Sequence, residues 1–420
     1  MYLKINILTL LPGLPSESDF GVYYRAGVDI LGGKSPYGRP AYFYPPLVAF
    51  GMSPFALTDY VTARTTWFVV SHMLLLLSAW LLWRAAGRGR VALCSIACVW
   101  ALGGALRETL NVGQLSPLLV VALAVAYTQR EKLQGAAVGI GFALKYIPGI
   151  LAVALFMERR GRALVAFAWT VVLTLVLPWA LIWGAFAGPK APISAHYWMG
   201  TPDMFSWSIP SVVLRIFEPL SRGPGLPRDW QYGHEAATLH LGWRLEWISV
   251  GAATATLVVG MLALGRACRG RLNRNQGLWA MVGLVSLSLA AAPVCWSHYQ
   301  VLQYPGAALL LVWSIRQRAW RSTALAIVCL AMLHVLPEYF LNRYYDAYGA
   351  WTANSPAMLY IWTSMSPLAC LGLFGLALVQ VRRAAWAASR AVQEPVSGYA
   401  VSNESRIPTP AFLKSPQGAL

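Results

Sequence analysis

Long apolar segments, separated at intervals by short basic clusters, dominate this chain. Of its 420 residues, 57% are hydrophobic and only 12% are charged, whereas a soluble domain carries about 25% charged residues. An α-helix satisfies every backbone hydrogen bond within one segment, and roughly 20 apolar residues are enough to cross a bilayer. We therefore predict an all-α, polytopic membrane protein. The predicted apolar helices are residues 64–84, 90–106, 116–128, 134–157, 163–187, 246–265, 278–294, 299–315, 322–341 and 357–381.

The basic clusters predict which end of each helix faces the cytoplasm. Because Lys and Arg concentrate in short cytoplasmic loops, the net charge of +17 indicates topology rather than nucleic-acid binding. The clusters are Arg84/Arg88/Arg90, Arg130/Lys132, Arg159/Arg160/Arg162, Arg266/Arg269/Arg271/Arg274, Arg316/Arg318/Arg321 and Arg382/Arg383/Arg390. The acidic residues fall mainly in the opposite loops, so we expect the polar chemistry to face outward. The predicted outer segments are residues 17–60, 107–115, 188–245, 293–299 and 341–356.

One apolar segment does not fit a topology in which each segment crosses the membrane once and successive spans alternate in direction. Residues 134–157 separate two basic clusters that are both predicted to be cytoplasmic, and a single span cannot return to its own side. Each half of the segment has about 11 residues, or roughly 17 Å of helix, against a hydrocarbon core of about 30 Å. We therefore predict a short helical hairpin that turns at Lys145–Gly149, close to Pro148.

The segment before the first predicted span is polar and rich in Tyr and Gly. Residues 18–46 contain Asp19, Asp29 and the Tyr44-Pro45-Pro46 sequence, and Pro, Gly and charged residues interrupt every apolar stretch. We expect a large outer loop over residues 17–60, with Asp29 and Asp59 in solvent. Residues 1–15 are too short to span. Residues 1–381 are predicted to form one membrane domain, followed by a disordered cytoplasmic tail over 382–420.

Several polar side chains are predicted to lie near the outer ends of the helices. A carboxylate such as Asp19 could take a proton from a hydroxyl, and a cation could bind a phosphate and stabilise it as a leaving group. Alternatives stay open, because interfacial aromatic residues often only anchor a helix, a Lys can extend to the interface, and Asn or Gln can cap a helix. The candidate cations are Lys145, Arg107 and His298; the candidate polar and aromatic partners are Asn111, Gln114, Tyr23, Tyr24 and Tyr299.

The sequence contains no motif for nucleotide hydrolysis or for proteolysis. The chain contains no nucleotide-binding P-loop, no HExxH and no GxSxG, which argues against a primary pump and against the familiar membrane proteases. The six cysteines show no zinc-ligand or disulfide spacing. We expect no metal ion and no other cofactor.

The polar motifs, taken together in their order along the chain, indicate a protein family more specifically than any one of them does. The sequence resembles glycosyltransferase family 87, a group of integral-membrane enzymes of the GT-C superfamily. The motifs that carry the resemblance are D-F-x-V-Y-Y-x-A at 19–26, G-x-S-P-Y at 33–37, Y-P-P at 44–46, N-x-G-Q at 111–114, Lys145 with Pro148, and P-x-x-W-x-H-Y at 293–299.

This resemblance implies a GT-C helical bundle and an inverting transfer of a hexose, usually mannose. The donor would be a polyprenyl-phosphate sugar, and the acceptor would be a lipid- or glycan-linked hydroxyl on the outer face of the cytoplasmic membrane. It implies that Asp19 is the general base and that His298 lies near the donor phosphate or the acceptor. We expect membrane lipids, and no nucleic acid, as the remaining partners.

The chain departs from the family pattern at its start. The family usually has a complete helix before the Asp motif and about 12 helices in all, whereas we predict about eleven here, counting the hairpin as two and with no complete helix before Asp19. Either translation begins upstream of Met1 or this helix is lost. Two other functions remain open: a glycolipid transporter or flippase, which would share the many helices and the intramembrane Lys145, and an inactive scaffold.

Overall fold

In the part of the chain that it describes, the computed structural model is almost entirely helical, with one isolated β-bridge between Ser206 and Trp296. It describes residues 18–38, 42, 44–101, 103–129, 131–186, 206, 208–214, 243–268, 272–293, 295–334 and 356–393. The helices are α1 (Asp19–Leu31), α2 (Pro46–Met52), α3 (Tyr60–Ala85), α4 (Arg90–Ala101), α5 (Gly104–Val112), α6 (Ser116–Thr128), α7 (Glu131–Leu144), α8 (Leu151–Met157), α9 (Gly161–Val171), α10 (Leu177–Phe186), α11 (Trp243–Ala267), α12 (Arg274–Ala291), α13 (Tyr304–Arg316), α14 (Trp320–His334) and α15 (Pro356–Gln393).

Four segments among the described residues are long and apolar enough to cross a membrane: Tyr60–Ala85, Gly161–Ile182, Trp247–Ala267 and Ser364–Trp386. Helices α4 and α5, bent by 57° at their junction, would make a fifth span if they cross together. Three further apolar helices are shorter. The prediction of an all-α, multi-pass membrane protein is confirmed, while the total of about eleven helices stays a prediction.

Segment 134–157 forms the predicted hairpin. Helix α7 ends at Leu144, a 3₁₀ turn covers Ile147–Ile150, and α8 follows. The two ends of the segment meet, because Arg160 Nη1 donates a hydrogen bond of 2.7 Å to Gln134 Oε1. A straight helix would hold residues 26 positions apart at roughly 39 Å. Lys145 therefore lies at the turn, at the end opposite the basic cluster that contains Arg160.

The carboxylate of Glu158 joins this hairpin to α12. Its Oε2 lies 2.5 Å from Arg160 Nε, and a Cβ added to Gly277 would meet the carboxylate, so the group packs against the first turn of α12. Burial raises the pKa of Glu158 to about 7, while Arg160 and Arg274 act in the opposite direction. Helix α12 itself is almost entirely buried and begins with a capping box between Asn273 and Gln276.

Three predictions about loops were wrong. The expected outer loop 17–60 contains α1 and α2, and most of the expected loop 107–115 is the second half of α5. Residues 382–393, expected in a disordered tail, continue α15. Asp29, expected in solvent, is buried on α1, because its position follows the helical spacing of Phe20, Tyr23 and Ala26.

Asp59 is exposed, as expected, and caps α3. Its carboxylate accepts hydrogen bonds from the backbone of Val61 and Thr62 and from the Thr62 hydroxyl. Hydrogen bonds from the Thr62 hydroxyl and its backbone N–H hold the pKa of Asp59 below its usual range. The expectations for residues 1–17, most of the outer loop 188–245, the outer segment 341–355 and the tail 394–420 lie outside the described residues.

Close packing of α7 on α9 predicts a stability effect. A Cβ on Gly135 would lie 1.9 Å from the carbonyl oxygen of Ala163, so Gly135→Ala must push the two helices apart. Overpacking of this kind costs about 1–3 kcal/mol, and we expect a lower thermal midpoint for the detergent-purified protein. Gly251→Ala on α11 is the matched control, because no heavy atom lies within 4 Å of the added Cβ. Equal midpoints for the two variants would contradict the close approach of α7 and α9.

Candidate active site

Asp19 is the first residue of α1, and the packing of the next residue fixes its position. Phe20 is fully buried and stacks on Trp67 of α3. On its other side, a Cβ on Gly113 would lie 2.6 Å from Phe20 Cβ. Gly113 ends α5 with φ +70, a conformation that strains other residues. Glycine at this position therefore lets the end of α5 approach the start of α1 closely.

The side-chain amide of Gln114 connects three of the predicted site residues. Its Nε2 donates a short hydrogen bond to Asp19 Oδ2. Its Oε1 accepts hydrogen bonds from the Tyr23 hydroxyl at 2.9 Å and from Lys145 Nζ at 3.1 Å. Exchange of the amide oxygen and nitrogen would place an oxygen against a carboxylate and an N–H against an ammonium group. The three neighbours therefore define one orientation of Gln114.

Lys145 brings a buried positive charge to this cluster. Its side chain is 7% exposed, and its amine lies 3.6 Å from the centre of the Tyr299 ring and 5.9 Å from that of Tyr44. Tyr44 also packs edge-on against Tyr23, with ring centres 4.7 Å apart. Aromatic faces stabilise a desolvated cation, so the two rings and Gln114 offset part of the cost of burying Lys145.

His298 lies beside this cluster, on a 3₁₀ turn that covers Ser297–Gln303. Its ring packs against Tyr299, and its Nδ1 lies 3.7 Å from Glu108 Oε1 on α5. Thr109 fixes the backbone by donating a hydrogen bond to the His298 carbonyl. The other ring nitrogen, Nε2, is buried and has no hydrogen-bond partner among the described residues.

The structure thus gathers Asp19, Tyr23, Gln114, Lys145 and Tyr299, with His298 alongside. Tyr24 points elsewhere, since its hydroxyl donates to the Thr58 carbonyl. Asn111 lies in the last turn of α5, so the alternative that it caps a helix start is wrong. Arg107 lies one turn before it and is partly buried.

Two side chains next to the site, Tyr44 and Glu108, were not predicted from the sequence to belong to it. Tyr44 belongs to the Y-P-P motif and reaches Lys145 only through the fold. Glu108 follows Arg107 on α5, and its partner His298 lies 190 positions further along the chain. No group of three or more metal-ligating side chains occurs in the described ranges, and the absence of a metal from the reaction stays a prediction.

This arrangement can combine two kinds of chemistry. Asp19 is partly exposed, so a substrate hydroxyl can reach its carboxylate, whereas Gln114 and Lys145 are buried. A carboxylate and an ammonium group joined through one amide can accept a proton and stabilise a developing negative charge in the same site. The protein around Lys145 excludes bulk water, which strengthens the electrostatic attraction between its amine and a nearby negative charge.

Comparison with known proteins identifies the family. The model of glycosyltransferase family 87 matches residues 42–293 of this chain, which is more than half of its length and includes Tyr44, the Asn111–Gln114 motif and Lys145. The chain belongs to glycosyltransferase family 87. It is therefore a glycosyltransferase of the membrane, as its motifs predicted.

Two curated relatives of this family-87 chain come from Mycobacterium tuberculosis. A polyprenol-phosphate-mannose-dependent alpha-(1-2)-phosphatidylinositol mannoside mannosyltransferase is 23% identical, over 86% of this chain and 85% of the relative. A polyprenol-phosphate-mannose-dependent alpha-(1-2)-phosphatidylinositol pentamannoside mannosyltransferase is 27% identical, over 65% of this chain and 58% of the relative. The crystal structure of ArnT from Cupriavidus metallidurans bound to undecaprenyl phosphate aligns with 93% of this chain and 79% of that one, at 17% identity and a TM-score of 0.41.

The geometry around Gln114 predicts the effect of removing its amide. Gln114→Ala leaves Asp19, Tyr23 and Lys145 without their common partner, and a misplacement of about 1 Å costs roughly 100-fold in rate. We expect a loss of about this size in sugar transfer by purified protein, with unchanged expression and chromatographic behaviour. Gln129→Ala, just after α6, is the matched control, since in the described part of the chain its amide bonds only the neighbouring Thr128 hydroxyl. If Gln114→Ala transferred sugar at the wild-type rate, the Gln114 amide would have no role in catalysis.

Proposed function

We propose that this family-87 enzyme transfers a mannosyl group from polyprenol-phosphate-mannose to a hydroxyl of a lipid- or glycan-linked acceptor. Both mycobacterial relatives are polyprenol-phosphate-mannose-dependent mannosyltransferases by name, which supports this donor and this sugar. The observation that carries the proposal is the contact of one amide, Gln114, with both the carboxylate of Asp19 and the amine of Lys145.

In the proposed reaction, Asp19 is the general base. Its carboxylate takes the proton of the acceptor hydroxyl while the hydroxyl oxygen attacks the anomeric carbon of mannose. The bond between this carbon and the phosphate oxygen breaks, and its electron pair stays on the polyprenyl phosphate. Attack opposite the leaving phosphate inverts the configuration at the anomeric carbon. A positioned base contributes about 10²–10⁴-fold to such a step.

The proposed role of Lys145 is to bind the donor phosphate. Its ammonium group is held between aromatic rings and Gln114, in surroundings that screen the attraction between this cation and a phosphate poorly. A fixed cation at the leaving group stabilises the charge that develops there. His298 has a buried ring nitrogen with no partner in the described part of the chain, and we assign it to the phosphate or to an acceptor hydroxyl.

The proposed site faces the outside of the cytoplasmic membrane. The turn of the hairpin, which holds Lys145, lies opposite its open end, where Arg160 and Arg162 contact Gln134 and Glu131. Basic clusters concentrate on the cytoplasmic side, which supports an outward-facing Lys145. A lipid-linked donor carries its own leaving group across the membrane, so the proposed reaction needs no nucleotide.

Asp19→Asn tests the base while keeping the shape of the side chain. In membranes supplied with radiolabelled polyprenol-phosphate-mannose and a host lipid extract, we expect the wild type to label a new lipid or glycan. Asp19→Asn should lower this transfer by at least about 100-fold, because an amide cannot take the proton. The matched control is Asp59→Asn, which keeps a helix cap on the exposed end of α3 and should retain activity. Transfer at the wild-type rate by Asp19→Asn would exclude Asp19 as the base.

A further inference from the structure

The first turns of α3 hold the segment that carries Gln114. Arg64 Nη2 donates a hydrogen bond of 2.9 Å to the carbonyl oxygen of Asn111. Trp67 Nε1 donates one of 3.0 Å to the carbonyl oxygen of Gly113. Residues 64 and 67 are one turn apart, so they share a face of the helix. Two side chains of one rigid span therefore bind the two backbone carbonyls on either side of Val112.

These carbonyls lie where a helix cannot satisfy them itself. The last turn of α5 ends at Val112, and the final carbonyl groups of any helix have no partner within it. The N–H groups of Gly113 and Gln114 bond back to Leu110 and Thr109. A cation at this position also complements the negative end of the helix dipole. Arg64 therefore supplies both a hydrogen bond and a charge at the end of α5.

Gln114 begins immediately after this capped end. Its backbone position depends on the left-handed Gly113, whose carbonyl Trp67 holds, and its side chain must reach Asp19, Tyr23 and Lys145 together. A shift of about 1 Å in this segment is enough to break a hydrogen bond. The orientation of the Asp19 carboxylate is thus coupled to α3 through a chain of short contacts.

We propose that Arg64 is a positioning residue for sugar transfer, acting through Gln114 on the carboxylate of Asp19. This inference rests on the proposed function, in which Asp19 is the base. Arg64 is the first residue of the predicted span 64–84 and lies on α3, and it belongs neither to the family motifs nor to the basic clusters. Its Nη1 is buried and has no hydrogen-bond partner in the described ranges, and its Nη2 bonds the Asn111 carbonyl, so this bond is the contact with α5 that a substitution of Arg64 removes.

A double-mutant cycle between Arg64 and Gln114 tests the proposal. We expect Arg64→Met to lower kcat by about tenfold or more, as the loss of a supporting contact behind an active group does, with the donor KM within about threefold of wild type. In the Gln114→Ala background, the same substitution should lower kcat by less than about threefold, because coupled residues give non-additive effects. Arg64→Lys, which keeps a donor and a charge, should recover part of the rate.

One further variant controls for the loss of an arginine from α3, and another replaces Arg64→Met if that variant does not fold. Arg84→Met changes an arginine in the last turn of the same helix. In the described part of the chain, the Arg84 guanidinium lies over the Trp80 ring, far along α3 from Arg64, so this variant should leave kcat unchanged. If Arg64→Met fails to accumulate as folded protein, Trp67→Phe takes its place in the cycle, because it removes the hydrogen bond to Gly113 and keeps an aromatic ring beside Phe20.

The outcomes separate the two proposals. Equal fold-losses in the wild-type and Gln114→Ala backgrounds, or a change in the donor KM alone, would overturn the role of Arg64. A wild-type protein that transfers no mannose at all would instead overturn the proposed function. Transfer by the wild type together with a strongly non-additive cycle would support both.

Discussion

A single neutral amide, that of Gln114, joins the two charged groups of the site, the partly exposed carboxylate of Asp19 and the buried amine of Lys145. A carboxylate or an ammonium group is costly to bury alone, and the cost falls only when each finds a hydrogen-bond partner. Gln114 offers a donor to Asp19 and an acceptor to Lys145 at the same time. The fold brings α1, α5 and the hairpin turn together at this side chain, so local packing in each of them depends on it.

The hairpin of α7 and α8 explains how Lys145 reaches that position. A continuous span would carry the residue past the site, whereas a segment that turns back leaves its tip among the other helices. The open end is fixed by Arg160, which contacts both Gln134 and Glu158, and the close approach of α9 requires Gly135. Irregular backbone at the tip is tolerated in a membrane only where protein or a polar cavity surrounds it, and here Gln114, Tyr44 and Tyr299 surround it.

The sequence predicted the parts of this arrangement that depend on charge and periodicity. The hairpin followed from two basic clusters on one side, and Asp19 and Lys145 followed from their motifs. The loop assigned to residues 17–60 was wrong because Gly and Pro suggested irregular structure, although Phe20, Tyr23 and Ala26 follow a helical period. The bridging role of Gln114 could not be predicted, since a neutral amide shows its partners only when distant segments meet. The role of Arg64 could not be predicted either, because its acceptor is a backbone carbonyl of a distant segment.

Sugar transfer and the movement of a glycolipid across the membrane are distinguished by what each requires. An enzyme with its base and its cation in one site works without a sealed bilayer, whereas a transporter has no measurable function without one. The most direct measurement gives the purified, detergent-solubilised wild-type protein labelled polyprenol-phosphate-mannose and an acceptor lipid extract. We expect a new mannosylated product and free polyprenyl phosphate in equal amounts. No product in detergent, together with movement of an intact labelled glycolipid across the membrane of sealed vesicles that contain the protein, would contradict sugar transfer as the function of this chain.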